Sequence, residues 1–157
     1  MFDDAKSMRL GDCVVLHGGY PFRGPVEHHP EGDVAVVQMK DLDQELGVNW
    51  EGTSRTFLPG RKTPEWLQGG DVLFVARGNR FFASALGSPP QQAVCGAHLF
   101  HLRVEPAQRL LPNFLAWQIN QPPVQRQLAA AAEGSSQLSI RRAEIESITI
   151  AVPTTAQ

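Results

Sequence analysis

Short apolar runs separated by glycine and proline turns make up the first two thirds of the chain. They are GDCVVLHGG (11–19), VAVVQMKDL (34–42), DVLFVA (71–76), FFASAL (81–86) and AVCGAHLFHLRV (93–104). Runs of this length between turn residues are typical of β-strands. The pattern therefore predicts five strands, and RGNR (77–80) is expected to form the tip of a hairpin between the third and fourth. The proline- and glycine-rich residues 20–33 predict a loop.

Helical periodicity replaces this pattern after residue 110. Leu111, Phe114, Leu115 and Ile119 fit one face of a helix that begins at Pro112. The segment 122–134 begins with two prolines and ends with glycine, which predicts a second helix with Gly134 as its stop.

The last part of the chain predicts one more helix and one more strand. Ser139 is placed to cap a short helix over residues 140–145, and SITIAV (147–152) reads as a strand that runs into Pro153. Strands first and helices grouped toward the C-terminus indicate an α+β fold with a mostly antiparallel sheet.

Length and composition indicate an ordinary globular protein of one domain. The chain has 157 residues, of which 42% are apolar and 19% are charged. It contains no apolar run long enough to cross a bilayer, and its N-terminus carries acids where a secretory signal needs bases, so we expect a cytoplasmic protein without membrane contact. Cys13 and Cys95 are expected to be reduced and at least partly buried.

The net charge of −2 conceals an uneven distribution. Residues 1–51 hold ten acidic and four basic residues, whereas residues 52–142 hold four acidic and ten basic residues. Such asymmetry can create a basic face on a nearly neutral domain, although charge also fluctuates along any sequence.

A search for catalytic or metal-binding patterns yields no candidate. His28 and His29 lie in a loop without further ligands at metal-site spacing. If residues 93–104 form one strand, Cys95 and His101 share a face and His98 points the other way, so the three cannot bind one ion. Nucleophile-elbow and phosphate-loop motifs are missing from the sequence. We therefore expect a protein that is not an enzyme and needs no cofactor.

The basic residues concentrate at predicted turns. Surface arginines are most often simply solvated, but arginine also suits guanine, and amides suit adenine, in the major groove, while other cations hold phosphates. The candidate cations and amides at turn positions are Arg23, Lys40, Arg61, Lys62, Arg77, Asn79, Arg80 and Gln137.

Arg141 and Arg142 fall in the first turn of the helix predicted to follow Ser139. The positive end of the helix dipole disfavours cations there, and a bound anion would reverse that effect. This placement favours a phosphate contact.

The order of these segments resembles the target recognition domain of a type I restriction–modification specificity subunit. The resemblance lies in GGYPFRG (18–24), VAVVQMKDL (34–42), GDVLFVARGN (70–79) and the stretch from PNFLAWQIN to ITIAVP (112–153). It covers residues 10–153, and GDVLFVARGN and EGSSQLSIRRAEIESITIAVP (133–153) are its most informative parts.

The resemblance implies a non-catalytic protein that recognises one half of a split DNA sequence. The implied partners are double-stranded DNA, DNA methyltransferase and restriction subunits, with a second copy of the chain as a further candidate. The hairpin tip would face DNA, the first loop would carry its aromatic and basic residues, and a polar loop would lie beside the duplex. The residues implied are Tyr20, Phe22, Arg23, Arg77, Asn79, Arg80, Ser135, Ser136 and Gln137.

The family pattern places a long spacer helix after the last strand, where this sequence reads AVPTTAQ. We therefore expect residues 1–157 to form one recognition domain without a spacer helix. Two other functions stay open: a regulatory or protein-interaction relative that has lost DNA contact, and an enzyme that uses the histidines. Trp117 fits either the core or an interface.

Overall fold

The computed structural model describes residues 5–58, 60, 63–135 and 137–154 of the chain. Within these residues the strands are β1 (Ala5–Arg9), β2 (Val14–Gly18), β3 (Val34–Val37), β4 (Leu42–Asp43), β5 (Gly47–Val48), β6 (Ser54–Thr56), β7 (Val72–Val75), β8 (Phe82–Ala85), β9 (Ala93–Cys95), β10 (Leu99–Val104) and β11 (Thr149–Pro153). The helices are α1 (Pro112–Ile119), α2 (Pro122–Ala131) and α3 (Arg142–Glu146), and three single 3-10 turns lie at Leu10–Asp12, Met39–Asp41 and Trp50–Gly52.

A four-stranded antiparallel sheet, in the order β2-β10-β7-β8, forms the central layer. Side chains of β7 alternate between its two faces, as expected for a strand buried on both sides. Val72 and Phe74 pack with the helices, whereas Leu73 and Val75 face a second sheet. The sheet is therefore the middle of a layered core.

The second sheet, in the order β6-β3-β9, covers one face of the central sheet. Ala35 and Cys95 point toward the central sheet, and Val36 and Val94 point outward. Strands β3 and β9 pair in parallel, and the other strand pairs within these two sheets are antiparallel. The predicted α+β class with mostly antiparallel pairing is confirmed.

The helices and the ends of the chain cover the other face of the central sheet. Leu115, Ile119, Leu128 and Ile145 are essentially inaccessible to solvent and pack into one apolar cluster with the central strands. Strand β11 pairs antiparallel with β1, a strand that the sequence analysis did not predict.

Three sequence predictions about element boundaries are wrong. The strand predicted over residues 34–42 ends at Val37, and a 3-10 turn follows it. Residues 93–104 form two strands in different sheets because the chain turns at Gly96–His98, so the argument that Cys95 and His101 share one strand face fails. Helix α2 ends at Ala131, and Gly134 lies in the loop that follows.

Side-chain amides of α1 and α2 pair with the backbone at the free edges of two sheets. The Asn120 amide donates to the Ala83 carbonyl and accepts from the Ala83 N–H, both at 2.8 Å, on edge strand β8. Gln118 makes the same pair of bonds with Ala151, and Gln127 makes it with Thr149, both on β11. The helices thus satisfy backbone groups that would otherwise present an open edge.

Replacing Asn120 with alanine is expected to lower the free energy of unfolding by about 2 kcal/mol. The substitution leaves the N–H and the carbonyl of the buried Ala83 without partners. Urea denaturation measures the effect. Asn113→Ala, at an exposed position of the same helix, is the matched control, and equal losses in the two variants would show that the edge pairing contributes nothing.

Candidate nucleic-acid interface

The connection between β7 and β8 comprises residues 76–81 and confirms the predicted hairpin. Gly78 lies in it with a φ of +121°, a conformation that L side chains rarely adopt. Asn79 and Arg80 follow at the exposed tip. The glycine thus permits a sharp turn that displays a polar and a cationic side chain next to each other.

This hairpin tip is hydrogen-bonded to the segment after α2. The Gly78 N–H donates to the Leu138 carbonyl at 2.9 Å, and the Ile140 N–H donates to the Ala76 carbonyl at 3.0 Å. Arg77 and Ser139 face each other across this short antiparallel bridge. The two most informative stretches of the sequence resemblance are therefore neighbours in space.

The loop that carries Gln137 is closed at its base by backbone pairing. Glu133 and Ser139 exchange two N–H to carbonyl bonds of 2.9 and 2.8 Å. Ser135 and Gln137 are exposed on the loop between them. The closed base holds this loop against the hairpin tip, because Ser139 bridges both segments.

Five separate segments line a pocket of about 550 Å³ beside the hairpin tip, and three of them carry residues named in the sequence resemblance or its neighbouring stretches. Tyr20 and Phe22 come from the first loop, Arg77 from the hairpin, and Ser139 from the segment after α2. The rings of Tyr20 and Phe22 lie 4.7 Å apart, and both rings pack partly on the outer face of the second sheet. The fold therefore brings the first loop, the hairpin and the C-terminal segment to one surface.

Glycine at position 19 allows this convergence. A Cβ atom on Gly19 would lie 1.9 Å from the Gly96 carbonyl oxygen, so no larger residue fits. The Tyr20 N–H then donates to the Cys95 carbonyl at 2.8 Å, which fixes the start of the loop on β9.

Arg77 is half-buried as a residue, and its guanidinium makes a solvent-exposed contact with His98, which also lines the pocket. Nη1 of Arg77 lies 2.9 Å from Nε2 of His98. Burial, together with the neighbouring charge of Arg77, lowers the pKa of His98 below its usual 6.5. The sequence pattern indicated His98 only as a candidate metal ligand, and nothing in that pattern pointed to its contact with Arg77.

Arg23 and Arg80 are the more open cations at this surface. Arg23 lies between two pocket-lining residues, and its side chain makes no hydrogen bond or ion pair with the described part of the chain. Arg80 lies near the fully exposed Asp43, whose pKa is lowered first by hydrogen bonds from the Leu46 and Glu45 N–H groups and to a smaller extent by Arg80. The positive potential here is therefore partly balanced by an acid.

Three other candidate cations are engaged within the protein. Lys40 donates to the Asp41 carboxylate at 2.5 Å and to the Gly52 carbonyl at 2.8 Å. Arg141 lies 3.3 Å from Glu133 and 3.6 Å from Glu144, and Arg142 donates to the Leu16 carbonyl. A DNA role for each stays a prediction. Arg61, Lys62 and Ser136 lie outside the described residues.

The predicted cap of the short helix is wrong. Helix α3 begins at Arg142, with Arg141 at the cap position and no side-chain cap. Ser139 instead uses its backbone to pair with Glu133 and Arg77, and this pairing keeps residues 139–141 outside the helix. The dipole argument for a phosphate site is therefore weaker, because the helix has five residues and its first arginine contacts β2.

A buried ionic cluster fixes the start of the hairpin strand β7. Asp71 and His101 are each 1% exposed, and Asp71 Oδ2 lies 3.2 Å from His101 Nδ1. Arg103 donates from Nε and Nη2 to the two carboxylate oxygens at 2.9 and 3.0 Å. This explains the acid in the GDVLFVARGN stretch, which the sequence analysis treated only as a flank of the strand.

Several groups oppose one another in setting the pKa of Asp71. Burial raises it, but hydrogen bonds from His101, Arg103 and the Gln68 N–H outweigh burial and hold the pKa at about 2. Asp71 is therefore a charged anchor that ties β7 to β10.

The cysteines and the candidate metal ligands form no reactive or metal-binding site among the described residues. Both cysteines are unpaired and buried, and burial raises the pKa of Cys95 to about 12. Among the described residues, no three histidine, cysteine, aspartate or glutamate side chains are placed to hold a metal ion. None of the helices described is both long and apolar enough to span a membrane.

The fold of this chain is similar to that of solved S-subunit structures. Over 96% of the chain, it superimposes on the S subunit of the type-I restriction–modification system from M. genitalium with a TM-score of 0.63 and 14% identity. The HsdS subunit from Thermoanaerobacter tengcongensis gives 0.64 and 17%, again over 96% of the chain. This chain has the fold of part of an S subunit.

A third match comes from a structural study of complex assembly and conformational transition of the type I R-M system, with a TM-score of 0.67 and 15% identity over 96% of this chain. The chain spans 35%, 34% and 38% of the lengths of the three matched chains. The fold expected from the sequence resemblance is confirmed. No protein-family model matches the chain, and no curated protein matches its sequence.

Proposed function

We propose that this chain is a target recognition domain that reads a short sequence of double-stranded DNA for a type I restriction–modification system. The observation that carries the proposal is the joining of the hairpin tip, the 133–139 loop and the first loop at one surface of an S-subunit-like fold. Tyr20 lines the pocket at that surface, and the segments that meet there carry the exposed side chains that we propose as DNA contacts, namely Arg23, Asn79, Arg80 and Gln137.

In this proposal the domain is non-catalytic and acts by positioning other subunits. Amides and arginines on the two loops supply donors for base edges, whereas the more exposed cations contact phosphates. The DNA methyltransferase and restriction subunits would supply the chemistry, and a second copy of the chain is a further candidate partner. Because acids accompany several of the cations, the phosphate component of the affinity would be modest and strongly dependent on salt.

Selection of bound duplexes from a random pool, at about 50 and 200 mM salt, tests the proposal. A sequence motif that survives the higher salt supports specific recognition, since base contacts persist when counterion-driven binding is reduced. Recovery of random sequences at both salt concentrations, or of none, would overturn it.

A protein-binding role is the second candidate, and exposed apolar side chains favour it. Leu111 and Trp117 on α1 are 72% and 52% exposed, and Trp117 stacks on Phe114 with ring centres 5.9 Å apart. Trp117 therefore lies at the surface and not in the core. A relative that had lost DNA contact would bind its partner equally well when Arg77 and Arg80 are replaced with alanine, and Trp117→Ser would abolish that binding.

A further inference from the structure

His98 adopts a backbone conformation that is uncommon for a residue other than glycine. Its φ is +67°, and it is the only non-glycine residue with a positive φ in the described part of the chain. Such conformations are strained and persist when the surroundings impose them, often at functional sites. Here the Ala76 N–H donates to the His98 carbonyl at 3.0 Å, and the neighbouring Gly96 N–H donates to Val37 at 2.8 Å.

The contact between His98 and Arg77 defines the protonation state of the imidazole. A guanidinium has five N–H donors and no acceptor, so His98 Nε2 must accept the bond from Arg77. The ring is therefore neutral, with its proton on Nδ1. The charge of Arg77 and the partial burial of the ring both favour this neutral form.

The contact with His98 leaves most N–H donors of the Arg77 guanidinium available for a ligand. Within the described residues, the side chain of Arg77 has no other hydrogen bond and no ion pair. One guanidinium donor is occupied by His98, and the remaining donors can still make a parallel pair of bonds to two acceptors. In the major groove, guanine presents two such acceptors, O6 and N7.

We propose that His98 is a positioning residue that orients Arg77 for bidentate contact with guanine. This inference rests on the proposed DNA-recognition function. Protonation of His98 would remove the acceptor and place a second cation beside Arg77, so the guanidinium would leave its position. Sequence discrimination would then be lost as the pH falls through the pKa of His98, which lies below the usual value of a histidine.

The expected change of DNA binding with pH is opposite in sign to the change caused by a histidine that contacts phosphate. Such a histidine gains a charge at low pH and strengthens DNA binding. Around His98, the pocket is lined by Arg77 from the hairpin, Tyr20 from the first loop and Gln38 after β3, and none of its lining residues carries a carboxylate. Arg23 and Arg141 follow lining residues in the sequence, and Arg141 is paired with Glu133 and Glu144. A protonated His98 would therefore find a second cation, Arg77, and no acid in the lining of the pocket.

The test measures discrimination between a selected duplex and the same duplex with one guanine replaced, at pH values from 8 to 5.5. For the wild-type chain we expect the affinity ratio to fall to about half its value at pH 8 when the pH reaches the pKa of His98, which lies below the usual 6.5, and to fall further below that pH. His98→Gln keeps an acceptor near the Nε2 position but does not titrate, so its ratio is expected to stay high and independent of pH.

His98→Gly completes the series because glycine adopts a positive φ without strain. It removes the acceptor, so we expect low discrimination at every pH. Arg126→Ala, a change at an exposed residue of α2, serves as the control and should show the wild-type profile.

The outcomes separate this inference from the function on which it rests. If the chain selects no duplex, both fail. If the chain selects a duplex but the wild type, His98→Gln and His98→Gly share one pH profile, the positioning role is wrong and DNA recognition stands.

Discussion

Replacing Asp71 with alanine is expected to lower the free energy of unfolding by about 3–5 kcal/mol, the usual loss when one partner of a buried ion pair is removed. The substitution leaves the buried His101 without its carboxylate contact and Arg103 without its two-point partner. It also deprives the Gln68 N–H of its acceptor. Chemical denaturation of the purified chain measures the loss.

The same carboxylate predicts an acid dependence of stability. Its folded pKa of about 2 lies below the unfolded value of 3.8, so its stabilisation is complete above pH 3.8 and is lost as the pH falls toward 2. The difference corresponds to about 2 kcal/mol. Asp71→Asn should lack this decline, whereas Asp33→Asn, at an exposed site, should retain it. An unchanged acid profile in Asp71→Asn would contradict the assignment.

Replacing Arg77 with alanine is expected to weaken binding to a selected duplex by roughly 5- to 150-fold, the equivalent of 1–3 kcal/mol for one good base contact. The loss should be concentrated at one base position. Arg80→Ala, by contrast, should weaken binding to all sequences and reduce the slope of log affinity against log salt by about 1.

Both arginine variants should keep the thermal stability of the wild type, because neither side chain belongs to the apolar core. Titration of labelled duplexes and thermal melts of the same preparations check the two expectations. Arg126→Ala, an exposed cation on α2, is the control. If Arg126→Ala reduced affinity as much as Arg77→Ala, the hairpin tip would not be the recognition surface.

Local patterns in the sequence were sufficient to predict the elements that depend on local properties. Apolar runs with clear flanking turns gave the hairpin around Gly78 and the last strand before Pro153. Proline at the first turn gave the starts of α1 and α2, because proline is suited to that position. The sequence resemblance supplied the fold as a whole.

Features that depend on distant partners could not be predicted in this way. The 93–104 stretch reads as one apolar strand, and its division at Gly96 is visible only through the bond from Gly96 to Val37 of another strand. Ser139 is a good helix cap by residue type, yet its backbone is taken by Glu133 and Arg77. Long-range pairing overrides local preference at both sites.

In the candidate site, too, the sequence indicated the residue types but not their distant partners. The sequence pointed to arginines and amides at loop tips, but it could not indicate that Arg141 would face two glutamates or that Arg142 would contact Leu16. It also could not show that His98 would contact Arg77, since the two residues lie in different segments of the chain.

The edge-pairing amides of α1 and α2 have a consequence for self-association. Asn120, Gln118 and Gln127 occupy the places that a neighbouring strand would take along β8 and β11. A truncated polypeptide that ends before residue 118 would lack these amides. The backbone groups of edge strand β8 would then be free to pair with a second chain. The amides thus take part of the pairing capacity of these two edges out of reach of another chain.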